Sequence, residues 1–484
     1  MDYIVSGKES GRADKYTIND IGIPSLVLME RASLAVANLI EDNEYKSSKM
    51  VAVCGIGNNG ADGVAVARIL LNKGYKVDVY VLGNIEKATE EFKEQVSIAK
   101  KLGVKFTESI DNYDVYIDGI FGVGLSRNVE GVYKEIIEKI NSYKKTVYAV
   151  DIPSGISADT GKIMGIAIKA NYTVTFGKAK VGNIMYPGAD NCGKLIISDI
   201  GISDIAYNDY YTYLEKEDLE LLPKRANYSN KGTFGKVLII AGSEDISGAA
   251  LLSSRAVFST GAGMVMVMTH DNNASLIKEM LPEAMISSYN EKPDLDKLDA
   301  DIPWCDVILA GPGMGISDNA KSILEKVLNS DKKIVLDADA LNNIAEDENL
   351  KNSLNENVII TPHLMEMSRV LNKDISSIKD DIINTAINAR SLGSLVVLKD
   401  ARTVTYTDKV YINTTGNNGM ATAGSGDVLA GIIAGLLAIG LSHELAPPMG
   451  VFIHGLAGDM AAKRKSKSSL LAGDIIDELS NIFE

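Results

Sequence analysis

Residues 50–63 read MVAVCGIGNNGADG, a short apolar run followed by a turn rich in glycine and asparagine. The apolar sequence VAVARILLNKG comes next and has the character of a helix. This order of strand, glycine turn and helix is the opening unit of a doubly wound α/β sheet. Gly55, Gly57 and Gly60 also match the pattern GxGxxG, although that match is weak by itself.

The strand predicted next argues against an ordinary dehydrogenase. It covers residues 76–82 and ends in Gly83 and Asn84, without the carboxylate that holds the ribose of NAD. The informative residues of the first turn are instead the two amides, Asn58 and Asn59. Amide oxygens suit hard cations and amide groups suit a polar ligand, so we expect a binding site at this turn.

Two later strands of the first half also end in oxygen-bearing side chains. The segment YDVYIDG carries Asp118, and TVYAVDIPSG carries Asp151 and Ser154. Because parallel strands end at one edge of their sheet, these groups are expected to converge with Asn59 in one crevice. They could hold a monovalent cation, with Asp151 facing the ligand as an acid or base. Each aspartate alone is explained equally well as a helix or turn cap, but three at three strand ends favour a site.

The second half contains an equivalent turn, GNNGMATAGSGDVLAGIIAGLLA, at residues 416–438. Small residues form a turn, Asp427 stands at its end, and an apolar helix follows. A helix N-terminus stabilises anions, and a carboxylate placed there is suited to accept a proton from a hydroxyl that attacks a phosphoryl group. A capping role for Asp427 is about equally compatible with this stretch alone. The P-loop pattern GxxxxGK[ST] is absent, so any nucleotide is held in another way.

Further strands of the second half end in polar groups. They are expected in DVILAGPGMG, KIVLDADAL, NVIITPH and LVVLKDART, and the polar groups are Asp337, Asp339, His363, Lys399 and Arg402. Taken singly, His363 is a structural residue, the two aspartates are a solvated or capping pair, and the two cations are surface charges. Convergence of all five at one edge that faces Asp427 favours a functional site.

Length and composition predict two α/β domains. A chain of 484 residues exceeds one ordinary core, and the tyrosine-rich acidic connector at about residues 205–222 places the boundary between domains 1–212 and 213–484. The net charge of -15 excludes nucleic acid as a main partner. Three dispersed cysteines, no leader and no long apolar run predict a cytoplasmic protein that contacts no membrane. We also expect a homo-oligomer.

Taken together, these motifs resemble the bifunctional NAD(P)H-hydrate repair enzymes, in which an epimerase is fused to an ADP- or ATP-dependent dehydratase. The first half resembles the epimerase through IGIPSLVLME, GIGNNGADG, FGVGLSR, DIPSGISADTG and TFGKAKVG. The second resembles the dehydratase through KGTFGKVLIIAGS, GPGMG, DADAL, TPH, LKDART and the turn at residues 416–438. The resemblance implies an N-terminal Rossmann-like three-layer sandwich and a C-terminal ribokinase-like α/β sandwich.

The resemblance also assigns residues to each activity. In the epimerase, the hydrated dinucleotides NADHX and NADPHX would contact Asn58, Asn59, Gly60, Ala61, Asp62, Gly122, Val123, Gly124, Leu125, Ser126, Arg127, Asn128 and Asp151, and K⁺ would be held by Asn59, Asp118 and Ser154. In the dehydratase, the hydrated dinucleotide would contact Ala249, Gly315, His363 and Asp427, and ADP or ATP with Mg²⁺ would contact Lys399, Asp400, Ala401, Arg402, Thr403 and Gly426.

The implied chemistry has two parts. The epimerase interconverts the R and S hydrates by reversible opening of a carbon–oxygen bond, with Asp151 as candidate acid or base. The dehydratase converts the S hydrate to NAD(P)H while ADP or ATP becomes AMP or ADP and phosphate, through a phosphorylated intermediate with Asp427 as base. Two alternatives stay open: a small-molecule kinase of the ribokinase-like group, and an epimerase-like half that only binds ligands.

The chain departs from the family pattern in three places. Arg31 replaces an asparagine, Ala61 replaces a second glycine, and Leu364 and Met365 stand between the TPH motif and Glu366 where the family has Pro-Gly. These departures concern details of the two pockets.

Overall fold

The computed structural model describes residues 1–483. The chain forms two compact units: one comprises Tyr3–Tyr211, and the other joins Met1–Asp2 to the chain from Thr212 onward. Within residues 1–483, no helix combines the length and the apolar character needed to cross a membrane.

The N-terminal unit alternates strands and helices. Its strands are β1 (Asp2–Val5), β2 (Lys49–Cys54), β3 (Lys76–Val81), β4 (Lys105–Phe106), β5 (Val115–Gly119), β6 (Thr146–Val150), β7 (Tyr172–Phe176), β8 (Ala179–Lys180) and β9 (Lys194–Ser198). Its helices are α1 (Gly7–Tyr16), α2 (Ser25–Asn43), α3 (Asn58–Asn72), α4 (Glu90–Lys101), α5 (Gly131–Tyr143), α6 (Val181–Ile184) and α7 (Gly188–Cys192).

Seven of these strands form a parallel sheet in the order β4-β3-β2-β5-β6-β7-β9. Strand β2 shows why the sheet is covered on both faces: Met50, Ala52 and Cys54 pack into one apolar cluster, and Val51 and Val53 pack into another on the opposite face. Helices α2 and α3 supply the first cluster and α5 the second, which gives three layers. The order reverses at β2, so a crevice opens at the carboxyl ends of β2 and β5.

The second unit follows the same plan. Its strands are β10 (Tyr211–Tyr213), β11 (Lys236–Ile240), β12 (Met264–His270), β13 (Met285–Tyr289), β14 (Val307–Ala310), β15 (Lys333–Leu336), β16 (Val358–Ile360), β17 (Leu395–Leu398), β18 (Val404–Tyr406) and β19 (Val410–Ile412). Its helices are α8 (Gly248–Ser259), α9 (Asp271–Met280), α10 (Leu295–Asp301), α11 (Asp318–Leu328), α12 (Asp339–Glu346), α13 (Glu348–Asn352), α14 (Leu364–Leu371), α15 (Ile375–Asp380), α16 (Ile382–Ala389), α17 (Ser425–Ala438), α18 (Ala446–Arg464) and α19 (Ala472–Glu478).

Its strands run in the order β13-β12-β11-β14-β15-β16-β17-β18-β19-β10. The pairs from β13 to β17 are parallel, whereas β17, β18 and β19 pair in antiparallel fashion. The apolar helix α17 is buried against this sheet together with α8 and α18. The order reverses at β11, which again places a crevice at strand ends, here those of β11 and β14.

Two details differ from the sequence-based expectation. The first strand predicted above begins at residue 50, but Ile4 and Val5 of the earlier strand β1 pair with Ala179 and Lys180 of β8. The segment KIVLDADAL is a strand only as far as Leu336. Helix α12 begins at Asp339, because the chain has already turned at Ala338, whose φ of 50° lies in the left-handed region.

Candidate active sites

A cavity of about 890 Å³ lies at the carboxyl ends of β2, β5 and β6 in the N-terminal unit. It contains most of the dinucleotide-contacting residues predicted above: Asn58, Asn59, Asp62, Asp151 and residues 122–127. Gly60, Ala61 and Asn128 do not line it. Ten of the thirteen residues predicted to contact the dinucleotide therefore line one cavity, and the other three lie outside its wall.

The two small residues behind the wall have a structural role. A Cβ on Gly60 would lie 1.8 Å from the carbonyl oxygen of Gly55, so only glycine lets α3 begin this close to the turn. Ala61 is fully buried in the apolar cluster on one face of the sheet. The alanine that departs from the family pattern therefore places its methyl group in the core and not in the ligand space.

Asn59, Asp118 and Ser154 come together beside this cavity. The Ser154 hydroxyl donates to Oδ1 of Asp118 at 2.5 Å and lies 3.2 Å from the carbonyl oxygen of Phe121. Nδ2 of Asn59 donates to the same carbonyl at 3.0 Å. One carboxylate, one hydroxyl, one carbonyl and one amide thus meet, and such a set of oxygen donors suits a hard cation.

Burial raises the pKa of Asp118 to about 6, although hydrogen bonds from Ser154 and from the backbone of Ile120 act in the opposite direction. A nearby positive charge stabilises the ionised form of a carboxyl group that is buried in this way. The donor set therefore fits a monovalent cation, which would hold Asp118 in its ionised form.

Asp151 is held by a lysine that the sequence analysis did not select. Nζ of Lys180 lies 2.6 Å from Oδ1 of Asp151, and this lysine is almost fully buried. Thr175 donates to the same oxygen at 3.0 Å. Lys180 belongs to the motif TFGKAKVG, which is part of the family resemblance. The sequence pattern by itself does not show that this lysine is buried.

Three further carboxylates line the cavity, Asp14 from α1, Asp62 from α3 and Glu91 from α4. Burial raises the pKa of Asp14 to about 6, with Lys180 acting in the opposite direction. Burial and the charges of Asp151 and Asp14 raise the pKa of Asp62 well above its usual range. The cavity thus contains groups that can carry a proton near neutral pH.

In the second unit, the turn before α17 brings Asp427 to the sheet edge. Gly424, with φ of 85°, precedes the helix, and Asp427 lies in its first turn. A Cβ on Gly426 would be 3.3 Å from Nζ of Lys399, so the start of the helix lies directly against that lysine. Burial and the charge of Asp337 raise the pKa of Asp427 to about 6, with Lys399 acting in the opposite direction.

Lys399 and Asp337 form an ion pair, with Nζ 2.6 Å from Oδ1. Burial lowers the pKa of Lys399, but the negative charges of Asp337 and Glu366 outweigh burial and the net direction is upward. Asp337 is thus neither solvated nor a cap, and Lys399 is not a surface charge. Together they place one fixed positive and one fixed negative charge beneath the helix start.

His363 is a hydrogen-bonded structural residue, as considered above, and it also lies at the edge of the site. Its Nδ1 accepts from the backbone of Met365 at 3.0 Å and of Glu366 at 3.2 Å, while Glu366 accepts from the backbone of His363 at 2.8 Å. This reciprocal arrangement caps α14. Burial and the charge of Lys399 lower the pKa of His363, which favours the neutral ring. The departure at Leu364 and Met365 leaves Glu366 at its capping position.

The remaining predicted contacts lie on neighbouring loops. Asp339 accepts from the backbone of Gly315 at 3.0 Å, which fixes the GPGMG turn to α12. A Cβ on Gly313, in the same turn, would be 3.2 Å from the methyl group of Ala249. Arg402 donates to the carbonyl of Thr414 at 2.7 Å. These bonds connect the ends of β14, β15 and β17 with the segment that leads to α17.

His454 of α18 is a second residue that sequence reasoning missed. Its Nε2 lies 3.3 Å from the hydroxyl of Ser425, the first residue of α17, and both side chains are buried. Burial lowers the pKa of His454 to about 4, so the ring is neutral and can accept the serine proton. A histidine inside an apolar helix carries no recognisable spacing signal.

Family models match both units. Residues 25–182 match the family described as YjeF-related protein N-terminus, and residues 237–481 match the family described as NAD(P)H-hydrate dehydratase. Among solved structures, a ribokinase-like protein of Enterococcus faecalis is 33% identical with a TM-score of 0.52, over 57% of this chain and 97% of that one. The ADP/ATP-dependent NAD(P)H-hydrate dehydratase of Bacillus subtilis, crystallised with ATP and Mg²⁺, is 28% identical with a TM-score of 0.50, over 57% and 99%.

Curated relatives extend the match to both units at once. The bifunctional NAD(P)H-hydrate repair enzyme of Moorella thermoacetica is 36% identical over 99% of this chain and 96% of its own. Those of Thermofilum pendens and Escherichia coli are 35% and 31% identical, over 96% and 97% of this chain and 93% and 92% of theirs. Since the similarity extends along nearly the whole of each chain, this protein belongs to the family of bifunctional NAD(P)H-hydrate repair enzymes.

Proposed function

We propose that the N-terminal site interconverts the R and S hydrates of NADH and NADPH, and that the C-terminal site dehydrates the S hydrate at the expense of ADP or ATP. The observation that carries the second activity is the position of Asp427. It stands in the first turn of α17, beside Lys399, where a helix N-terminus and a fixed cation meet a carboxyl group able to take up a proton.

Dehydration requires hydroxide to become a better leaving group. Asp427 takes the proton of the ring hydroxyl as its oxygen bonds to the terminal phosphorus of the nucleotide, and the bond from phosphorus to AMP or ADP breaks. The backbone N–H groups of the GSG turn and Lys399 stabilise the charge that develops. The carbon–oxygen bond then breaks with help from the nitrogen lone pair, phosphate departs, and the adjacent carbon loses a proton to restore NAD(P)H.

The nucleotide is assigned to the edge formed by Lys399, Asp400, Ala401, Arg402, Thr403 and Gly426, and the hydrated ring to Ala249, Gly315, His363 and Asp427. Lys399 supports this assignment because its ion pair with Asp337 fixes its position at the helix start. Mg²⁺ accompanies the nucleotide as part of the substrate, and in that role it neutralises phosphate charge.

Epimerisation is assigned to the cavity of the N-terminal unit. The carbon–oxygen bond opens with protonation of the departing oxygen, the ring carries a positive charge beside nitrogen, and water returns to the opposite face. Asp151, at the wall of the cavity, is our candidate for the acid or base in this proton exchange. Asn58–Asp62 and Gly122–Asn128 are assigned to the dinucleotide.

A potassium ion is assigned to Asn59, Asp118 and Ser154. Their oxygen donors fit it, as does the upward pKa of Asp118, which a cation would offset. Bound there, the ion would supply positive charge next to the FGVGLSR loop. A homo-oligomer and a cytoplasmic location remain proposals, the latter supported by three free, buried cysteines.

The test is the recovery of the near-ultraviolet absorbance of reduced nicotinamide from a mixture of both hydrate epimers. Full recovery that requires ADP or ATP is the expected result. Recovery that stops near half would support the dehydratase activity and contradict the epimerase activity. The N-terminal cavity would then be a binding site only. Accumulation of a phosphorylated hydrate without recovery would indicate a kinase.

A further inference from the structure

The N-terminal cavity is lined by four carboxylates, Asp14, Asp62, Glu91 and Asp151, but only one of them has a cationic partner. Asp151 is paired with Lys180, whereas among the described residues no cation lies within ion-pair distance of Asp14, Asp62 or Glu91. This asymmetry concerns the proposed epimerase site, and the inference below therefore rests on that proposed function.

All three N–H donors of the Lys180 ammonium group are bonded to neighbouring protein groups. Its Nζ lies 2.6 Å from Oδ1 of Asp151, 3.0 Å from the carbonyl of Phe176 and 3.1 Å from the hydroxyl of Thr175. An ammonium group has three N–H donors, so these three acceptors use all of them. Lys180 is only 1% exposed, and none of its donors is left for a ligand.

Asp151 is constrained on one oxygen only. Its Oδ1 accepts from Lys180, from the Thr175 hydroxyl at 3.0 Å and from the Phe176 backbone at 3.3 Å. Within residues 1–483, no protein group is hydrogen-bonded to Oδ2. Because Asp151 also lines the cavity, Oδ2 is the oxygen available to a ligand.

The backbone around this pair is fixed as well. Asp151 has φ of 67°, in the left-handed region, and Nδ2 of Asn183 donates to its carbonyl at 3.3 Å. Oδ1 of Asn183 accepts from the backbone of Lys180 at 2.8 Å. One buried asparagine therefore holds both members of the ion pair in place.

We propose that Lys180 is a positioning residue for epimerisation, which holds Asp151 as a carboxylate with Oδ1 occupied and Oδ2 directed to the nicotinamide ring. In this state Asp151 stabilises the positive charge that forms when the carbon–oxygen bond opens, and it takes the proton of the water that returns. The proton delivered to the departing oxygen then comes from another group of the cavity and is returned through solvent, so protons balance over the cycle.

A purely structural ion pair would also be buried, so the test must detect the charge state of Asp151. The readout is the pH dependence of epimerisation, measured with the full chain as the slow phase of recovery that follows consumption of the S hydrate. Other ionisable groups near Asp151 that could contribute to this profile are Asp14, Lys15, Asp62, Glu91, Arg127, Cys192 and Tyr207. The fast phase reports the C-terminal unit and serves as an internal control.

In Lys180→Met the epimerisation rate should fall most on the acid side of the profile, because the positive charge 2.6 Å from Oδ1 of Asp151 is lost. The rate should fall by about tenfold or more near pH 5.5 and approach the wild-type rate at alkaline pH. Lys180→Arg, which keeps the charge, should leave the acid side in place, and Thr175→Val, which removes one hydrogen bond to Oδ1 but no charge, should change it less than Lys180→Met.

An unchanged profile in Lys180→Met, or an equal loss of rate at every pH, would overturn the proposal. If that variant does not fold, Lys180→Gln, which also removes the charge, replaces it in the same measurement with the same two outcomes. If the wild-type chain shows no slow phase, the proposed epimerase function has failed, which is a separate result.

Discussion

Nζ of Lys399 lies 2.6 Å from Oδ1 of Asp337, and this ion pair underlies the first turn of α17 at Gly426. Removing one partner of a buried pair leaves an uncompensated charge. Lys399→Met should therefore lower the free energy of unfolding by about 3 kcal/mol and weaken nucleotide binding. Denaturant unfolding and nucleotide titration measure the two effects. The double variant Lys399→Met/Asp337→Asn should regain stability without regaining nucleotide affinity, and a loss in the single variant below about 1 kcal/mol would contradict the argument.

Asp427→Asn should lower the dehydration rate by about 100-fold or more, because the amide cannot take the proton of the ring hydroxyl. The side chain keeps its size, so the S hydrate should still bind and epimerisation should continue. The measurement is NAD(P)H formation from the S hydrate, with epimer interconversion followed by chromatography on the same sample. Full dehydratase activity in this variant would exclude Asp427 as the base.

The pH dependence of dehydration follows from the pKa of Asp427, which is about 6. The base must be ionised, so the rate should be constant above this value and fall about tenfold per pH unit below it. Steady-state rates measured with the S hydrate at saturating nucleotide give the profile. A rate that does not fall between neutral pH and about pH 5 would contradict the assignment.

The raised pKa of Asp427 also predicts how the stability of the fold depends on pH. Since folding raises the pKa of Asp427 from 3.8 to about 6, its contribution to stability is full below 3.8 and is lost as the pH rises through 6. Asp427→Asn removes a buried charge and should raise the free energy of unfolding at neutral pH by about 1 kcal/mol, after allowance for partial exposure. The gain should vanish in unfolding experiments at low pH.

Gly60 and Gly57 form a matched pair for testing the turn before α3. A Cβ at Gly60 would lie 1.8 Å from the oxygen of Gly55, whereas a Cβ at Gly57 would meet nothing within 4 Å. Gly60→Ala should destabilise the N-terminal unit by about 3 kcal/mol or abolish its folding, and Gly57→Ala should change stability by less than about 1 kcal/mol. Thermal unfolding of both variants provides the comparison, and equal effects would show that the close approach is not what requires glycine.

The potassium assignment predicts that the two activities respond differently to cations. Replacing K⁺ by a large organic cation should slow the epimerisation phase and leave dehydration of the S hydrate unchanged. Ser154→Ala should reduce this cation dependence, because it removes the hydroxyl that lies 2.5 Å from Asp118. Rates of both phases across a potassium titration measure the effect, and equal responses of the two phases would contradict the assignment.

The sequence predicted the α/β class of both halves and the strand ends that carry the sites, because glycine turns and apolar strands are local signals. It placed Asp118, Asp151 and Ser154 at one sheet edge, as the parallel order of β2, β5 and β6 confirms. The site roles of these residues stay predictions, since a shared edge does not assign chemistry.

Other features depend on contacts that no local pattern contains. Lys180 and His454 are buried, and only the folded chain shows that one meets Asp151 and the other Ser425. The burial of Asp337 was likewise not evident, because a DAD sequence after a strand is typical of a solvated cap. The strand β1 was missed because its partner β8 is distant in sequence.

The left-handed backbone of Asp151 limits how this position can change over evolutionary time. Aspartate, asparagine and glycine enter that region at low energetic cost, whereas other side chains are strained there. A lineage under no selection for epimerisation should therefore drift to asparagine or glycine at 151, together with a neutral residue in place of the buried Lys180, and keep its fold. Such a chain would be a pseudoenzyme with an intact cavity, recognisable by the joint loss of both charges.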